Sequence, residues 1–481
     1  MTFVAVFLVN AALSFALSLV VAHLVGPESF GRYAVALSIS VVINTALFEW
    51  LRLSTTRFYS ERVRVGRPEV QGTLDLLYAM TSALVVAATA ILLAAQVDLG
   101  LPPALLAAAI ALGLSVGLFD YRTAQARARF LDRRYAGLLL ARGLLAFALA
   151  TGAAWLFPDP VHVIAASAFA AVATMALLRD RETRLKFRFD RALALRFARY
   201  AVPLVAASAL YQLLPLLNRS VLAGRAGFAE AGYFSLASEI AVRLFQNLGS
   251  ALDLALFQLA VREEERAGRA AGERQVARNL ALVVAILLPA AIGLCAVWPS
   301  FEALFVPASF RGEVAGPMML AVPAFAAYAL VQYGLNPIFQ IRHRTAPVIA
   351  AAVAALAVNL ALLFGWPGAS GAEAVAAVQL ASLAAGLVVV AAAALLVRAV
   401  FPWRDLGLAV VASAIMGAAL WPWREAFPPG LGLAAQVAAG AAIYGLLALA
   451  FDIADIRRNL AGLIARRRRA KKHYARPASA Q

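Results

Sequence analysis

Residues 218–258 read NRSVLAGRAGFAEAGYFSLASEIAVRLFQNLGSALDLALFQ. The later part of this stretch is of membrane-spanning length and consists mainly of Ala, Leu, Phe, Val and Ile, yet it carries Glu239, Arg243, Gln246, Asn247, Ser250 and Asp253. At about 100° per helical residue, those six side chains fall within an arc of roughly 120°. One Arg or Asp at a bilayer centre costs about 2.5–3.5 kcal/mol on insertion scales, so such residues face a partner helix or a water-filled cavity. One face of this helix is therefore expected to line something polar. A plainer reading of Glu239 and Arg243, four residues apart, is an ion pair that only holds helices together.

The rest of the chain has the same character. Of 481 residues, 63% are hydrophobic and 14% charged, and the mean hydropathy is +0.80. Apolar runs recur to the end of the sequence, which predicts an all-α polytopic membrane protein rather than a set of soluble domains. The first run has no basic leader and no small-residue cleavage pattern, so it reads as a span and not as a cleaved signal. Cys295 is the one cysteine, which rules out an intrachain disulfide. The four histidines show no ligand spacing, and no metal or cofactor site is expected.

Hydropathy predicts about fourteen spans, near 3–24, 33–53, 74–95, 103–121, 135–156, 161–178, 200–222, 232–258, 278–298, 314–340, 346–364, 372–397, 406–422 and 430–451. The net charge of +17 would suggest nucleic acid in a soluble protein, but its distribution points elsewhere. Nearly all Lys and Arg fall in alternate joints, including Arg57, Arg62, Arg64 and Arg67, then Arg122, Arg127 and Arg129, then Arg179 to Arg199, and finally the tail RRRRAKKHYARPASAQ. The positive-inside rule places those joints and both termini in the cytoplasm, with no nucleic-acid partner implied. The seven Trp residues sit at or near span ends, as an interfacial belt requires. The tail could also touch anionic membrane lipids.

Two anchors suggest an internal repeat. LVGPESFGRYAVALSI (24–39) follows span one and LAGRAGFAEAGYFSLASEI (222–240) follows span seven, pairing Gly26 with Gly224, and Gly31 and Tyr33 with Gly232 and Tyr233 after a small insertion. Span four ends in Gln125-Ala-Arg127-Ala-Arg129 and span ten in Gln340-Ile-Arg342-His-Arg344. The expected organisation is an N-terminal lobe of six spans (1–190), a C-terminal lobe of six (191–398), two appended spans (399–455) and a basic tail (456–481). Six spans is an even number, so the lobes would share one orientation about a pseudo-two-fold axis along the membrane normal.

Span two carries its own polar stripe, Ser38, Asn44, Thr45, Glu49, Arg52 and Thr56, within about 140°. Span one adds Asn10, Ser14 and Ser18, span seven adds Ser208, Gln212, Asn218 and Arg219, and span ten adds Tyr328, Gln332, Asn336 and Gln340. A shared central cavity would satisfy these stripes together, and polar glue between helices is the competing reading. Gly113 and Gly117 read as a close-packing pair. Asp75 and Asp120, near span ends, read as interfacial.

The runs LVGPESFGRYAVALSISVVINTALFEWLRLSTTRFYSE and YAVPLVAASALYQLLPLLNRSVLAGRAGFAEAGYFSLASEI resemble the polysaccharide biosynthesis flippases of the multidrug/oligosaccharidyl-lipid/polysaccharide exporter superfamily. The L-x-G-P-E-x-F-G-x-Y element after span one is the most specific part, and the likeness extends to span count and two-lobe layout. It implies translocation of an undecaprenyl-diphosphate-linked oligosaccharide, such as an O-antigen, exopolysaccharide or capsule repeat unit, from the cytoplasmic to the periplasmic leaflet of a bacterial inner membrane. Polysaccharide polymerase or export machinery would be partners. Members often carry Asp in span seven just before the basic residue, where this chain has Asn218 followed by Arg219, so no acid role transfers to that position.

A diphosphate must cross a hydrocarbon layer about 30 Å thick, and arginines in a hydrated cavity can replace part of its lost hydration with charge-assisted bonds. Arg52, Arg57, Arg219 and Arg243 are the candidate diphosphate ligands, with Arg142 a fifth. Asn44, Asn218, Asn247 and Gln332 are candidate cavity amides. Glu49, Glu239 and Asp253 are candidates for pairing with the arginines or titrating with a coupling H⁺ or Na⁺. Other classes stay open at this point. A drug/cation antiporter would favour acids over the internal arginines seen here, a membrane polymerase or acyltransferase would show a large catalytic loop, and a scaffold or scramblase would need neither.

Overall fold

The computed structural model describes residues 2–97, 100–179 and 188–458, and every regular element among them is helical. The basic-joint residues Arg181, Arg184 and Lys186 and the tail from 459 lie outside the described residues. Thirteen helical stretches are long and apolar enough to cross a membrane. The first, Val9–Phe58, is 50 residues long. At 1.5 Å per residue that is about 75 Å, enough for two crossings. It is interrupted at Gly26 (φ 74°, ψ 175°), just before Pro27, so the fourteen expected spans are all accounted for. The chain is an all-helical, multi-pass membrane protein.

In order, α1 (Thr2–Ile43) runs through a π-helical turn (Asn44–Phe48) into α2 (Glu49–Phe58). A short α3 (Glu61–Gly66) is capped by Ser60, whose hydroxyl accepts from Val63 N, 3.2 Å away. Then come α4 (Pro68–Ala94), α5 (Pro103–Ala128), α6 (Asp132–Leu156) and α7 (Pro160–Leu177), three of them opening on Pro, whose missing N–H costs nothing there. Next are α8 (Arg191–Ala226), α9 (Phe228–Ala267), α10 (Arg269–Phe305) and α11 (Ala315–Ala329). A second π turn (Leu330–Leu335) leads into α12 (Asn336–Ile341), followed by α13 (Ala346–Gly365), α14 (Ala372–Leu396), α15 (Trp403–Leu420) and α16 (Pro429–Phe451).

These helices form two compact units. One comprises Met1–Leu244, Phe305–Tyr328 and Arg344–Val390, the other Phe245–Leu304, Ala329–His343 and Ala391–Gln481. In the first, α1, α5, α6 and α7 pack together, and α8 packs on α1, α2 and α13. Gly113 and Gly117 make the α1–α5 contact close: a Cβ on Gly113 would lie 3.1 Å from Ser40 O, and one on Gly117 would lie 2.9 Å from the Phe48 ring. Phe48, Leu51, Leu74, Tyr121 and Phe197 fill the core beneath α2. Asp75 belongs to that core: it is 1% exposed, and its Oδ1 accepts from the Tyr121 hydroxyl at 2.7 Å, so the interfacial reading of this residue is corrected.

In the second unit, Ala296 of α10 packs with Met416 and Leu420 of α15, and α15 packs on α16. Arg342 joins Glu273 at 3.0 Å and donates to Val397 O at 2.7 Å, while Asn279 donates to Leu256 O at 2.7 Å.

The two repeat elements meet inside the first unit. Gly227 between α8 and α9 has φ 92° and ψ 167°, the same unusual conformation as Gly26. Five residues on from each break, Gly31 and Gly232 bring their backbones together. A Cβ on Gly31 would strike the carbonyl of Phe228, and one on Gly232 would strike the carbonyl of Pro27. Gly26, Pro27 and Gly31 thus match Gly227, Phe228 and Gly232 at one constant offset. No insertion is needed, and Gly26 matches Gly227 rather than Gly224. Only glycine holds φ near 80° cheaply, which is why the break and not the local letter match sets the register.

Candidate functional site

Arg219 on α8 and Glu239 and Arg243 on α9 converge because the Gly227 break folds α9 back beside α8. Glu239 is shared: its Oε1 accepts from Arg219 Nη2 at 3.1 Å and its Oε2 from Arg243 Nε at 3.1 Å. Arg219 Nη1 donates across to α1, to Ser38 Oγ at 2.7 Å and Ala34 O at 3.3 Å. The cluster therefore ties three helices together and carries two cations against one carboxylate. Arg219 is 5% exposed, whereas the Arg243 side chain keeps 26% of its surface open. Among the described residues the two Nη groups of Arg243 have no protein acceptor.

Arg243 opens onto a cavity of about 260 Å³. Asn10, Ser14 and Ser18 line it from the first half of α1, Tyr33 and Ser40 from the second half, and Asn44 from the π turn. Arg142 enters from α6 and Ser167 from α7. Among the described residues, every titratable lining group besides Tyr33 is a guanidinium. The nearest acid to Arg142 is Asp120, whose Oδ2 accepts from Asn44 Nδ2 at 3.1 Å and whose Oδ1 lies 3.9 Å from Arg142 Nη1. The Arg142 guanidinium also sits 4.6 Å from the centre of the Phe119 ring. Donors from hydroxyls, amides and guanidinium groups around one apolar-walled space suit an anionic or hydroxyl-rich group. The volume holds a headgroup and not a whole lipid-linked chain.

Of the sequence-expected residues, Asn44, Arg142 and Arg243 line this cavity, and Arg219 and Glu239 stand directly behind Arg243. Arg52 does not line it; it forms a two-bond pair with Glu49, with Nε to Oε2 at 2.7 Å. Arg57 lies instead with Arg196 and Arg199 in a separate cleft. Asn218 is fully buried in a carboxamide cluster, accepting from Asn359 Nδ2 at 2.9 Å and facing Gln379 Oε1 at 3.5 Å. Asn247, Asp253 and Gln332 belong to the second unit; there Gln332 Oε1 accepts from Asn336 Nδ2 at 2.6 Å, and Asn247 and Asp253 are half-buried.

Tyr33, Ser40, Ser167 and Asp120 were not among the candidates. Asp120 had a readable signal: with Gly113 and Gly117 it falls on one helical face, so the close packing of that face against α1 and the π turn also delivers Asp120 to Asn44.

Outside the membrane spans, Glu61 pairs with Arg64 and also accepts from Arg129 Nε at 2.6 Å. The hydrogen bond from Arg64, helped by Arg129, holds its carboxyl below the usual carboxylate range.

The chain matches no protein-family model, and no curated protein matches it by sequence. Its fold is similar to several solved structures. The lipid II flippase MurJ in an inward closed conformation aligns over 93% of this chain and 98% of its own, with a TM-score of 0.72 at 12% identity. A mutant of the Vibrio cholerae MATE transporter VcmN aligns over 82% and 95%, with a TM-score of 0.52 at 13% identity. A MATE in complex with MaD5 aligns over 87% and 96%, with a TM-score of 0.51 at 13% identity. The chain thus has the polytopic helical fold that the MurJ and MATE structures share.

Proposed function

We propose that the protein is a flippase that moves an undecaprenyl-diphosphate-linked oligosaccharide from the cytoplasmic to the periplasmic leaflet of a bacterial inner membrane, with both termini in the cytoplasm. The observation that carries this reading is the excess positive charge on the cavity: Arg142 and Arg243 line it, and among the described residues no carboxylate does. The likeness to a lipid II flippase along nearly the full chain supports the same substrate class.

A diphosphate leaving water loses strong hydration, and guanidinium groups in a partly dry cavity can offset that loss with charge-assisted, bidentate bonds. Glu239 fixes Arg243 through Nε and leaves its Nη groups for the ligand. Arg219 supplies a second positive charge to Glu239, which keeps that carboxylate from cancelling Arg243 completely. The hydroxyls of Ser14, Ser18 and Ser40 and the amides of Asn10 and Asn44 suit sugar hydroxyls, while the polyprenyl tail stays in the bilayer. Alternating access would carry the headgroup across as two six-span lobes rock, one at 1–190 and one at 191–398. Any charge moved in that step is biased by about 2.3 kcal/mol per 100 mV.

The MATE likeness raises a cation antiporter as the second reading. A cationic substrate would favour carboxylates on the cavity, and the acids near this one, Asp120 and Glu239, are engaged with Asn44 and the arginines. The two readings separate in a binding assay on the purified full chain. An undecaprenyl-diphosphate oligosaccharide should bind and should be displaced by undecaprenyl diphosphate but not by undecaprenol. Displacement by a lipophilic cation, or equal displacement by undecaprenol, would overturn the flippase reading.

A further inference from the structure

We propose that the first unit holds a second anion site, an anionic-phospholipid headgroup site in the cleft between the end of α2 and the start of α8. The cleft has a volume of about 560 Å³ and is lined by Arg57, Phe58, Leu195, Arg196, Arg199 and Tyr200. That volume lies in the range of about 300–1,000 Å³ usual for small-molecule sites. It shares no lining residue with the cavity of Arg142 and Arg243, and nothing in its assignment depends on what that cavity transports.

Charge is the first argument. Several nearby arginines are paired: Arg52 with Glu49, Arg64 and Arg129 with Glu61, and Arg188 with Glu69. Arg57, Arg196 and Arg199 have no carboxylate partner among the described residues, and all three are exposed. Three unpaired guanidinium groups sharing one concave surface repel each other, and a phosphate bridging them removes that repulsion while taking several charge-assisted bonds.

The floor is the second. Phe58 lies between the Phe197 and Tyr200 rings, with centroids 5.3 Å from each, and the Arg196 guanidinium covers its face at 5.1 Å. Phe197 is fully buried, so this aromatic base is anchored in the core. One side of the ligand therefore meets rigid apolar surface and the other meets cations, which is the pattern of an amphiphile and not of a free inorganic anion.

Depth is the third. α8 has 36 residues, about 54 Å at 1.5 Å each, against a hydrocarbon thickness of about 30 Å. Arg196 and Arg199 lie in the polar lead that precedes the apolar run, Tyr200 stands at the boundary where aromatic side chains anchor, and Val202 and Leu204 follow with exposed apolar surface. A lipid whose phosphate sits on the arginines would lay its chains along that surface. On the proposed topology the lipid comes from the cytoplasmic leaflet.

Native mass spectrometry of the purified full chain tests this, counting retained dioleoylphosphatidylglycerol against dioleoylphosphatidylcholine. The wild type should retain phosphatidylglycerol selectively, and millimolar inorganic phosphate should not remove it. Each arginine near an anionic surface contributes roughly fivefold in affinity. Arg196→Ala/Arg199→Ala should therefore weaken retention more than tenfold, and adding Arg57→Ala should weaken it further. All three residues are exposed, and matched elution profiles would show that the variants fold. Unchanged retention in the variants, or no preference over phosphatidylcholine, would refute the site. Displacement by inorganic phosphate would also overturn it and assign the cleft to soluble anions.

Discussion

Replacing Glu239 by Gln should be among the most damaging single changes in the first unit, because one carboxylate answers two arginines. Its side chain is 15% exposed, that of Arg219 is 6% exposed and that of Arg243 is 26% exposed. Removing one partner of a buried pair costs about 3–5 kcal/mol, since the remaining charge stays uncompensated. Arg219 keeps its bonds to Ser38 and Ala34, and Arg243 can turn to water, so the expected loss lies near the lower end, about 3 kcal/mol. That shifts a folding equilibrium by more than about a hundredfold. A double-mutant cycle in mixed-micelle equilibrium unfolding isolates the pair: Glu239→Gln, Arg219→Gln and the two together. A coupling of about 2 kcal/mol is expected for Glu239 with Arg219, and about half of that for Glu239 with the more open Arg243. A Glu239–Arg219 coupling below about 0.5 kcal/mol, the noise of additive sites, would refute the shared-carboxylate description.

Two further predictions follow from other parts of the fold. Gly31→Ala places a methyl group against the Phe228 carbonyl and must push α1 and α9 apart, so it should cost about 1–3 kcal/mol in the same unfolding assay, whereas Gly137→Ala, with open space around it, should be near neutral; equal effects would refute the close crossing. Glu61 has a depressed carboxyl pKa, so its stabilising contribution is complete above the unfolded value of about 4.3 and is lost as pH falls through the lower folded value. The thermal-stability gap between wild type and Glu61→Gln, small because Glu61 is half exposed, should narrow as pH falls below the unfolded value of about 4.3, and a gap that does not change with pH would contradict the pairing with Arg64 and Arg129.

Span number and helix type were legible because hydropathy needs no tertiary information, and the Gly113/Gly117 packing was legible because small residues four apart leave room for one kind of neighbour only. The polar stripe on span two was legible only as far as Asn44. The π turn at Asn44–Phe48 puts an extra residue into the helical ladder, which turns everything after it by about 100°. Glu49 and Arg52 pair with each other near Asp120 and do not line the cavity beside Ser40 and Asn44. Periodicity assumes an unbroken helix, and nothing in NTALF announces the bulge. The repeat was visible, but its register was displaced at Gly26, because letter matching chose Gly224 while backbone conformation chose Gly227. Asp75 could not be distinguished from an interfacial acid, because its partner Tyr121 comes from another helix. Asn218 shares the polar stripe of span seven with Arg219, yet consecutive residues on a helix point about 100° apart, and it turns into the Asn359–Gln379 cluster while Arg219 turns toward Glu239.

Translocation of a fluorescent undecaprenyl-diphosphate oligosaccharide in proteoliposomes tests the cationic cavity most directly, comparing wild type, Arg243→Ala and Arg142→Ala at matched protein levels. Both arginines are reachable from the cavity, and Arg243 is not needed to satisfy Glu239, which retains Arg219. Folding should therefore survive while transport falls at least tenfold in each variant, as expected for losing one charge-assisted contact to a phosphate. Wild-type rates in both variants, with protein equally folded, would contradict a diphosphate path through this cavity and leave its arginines as structural links between helices.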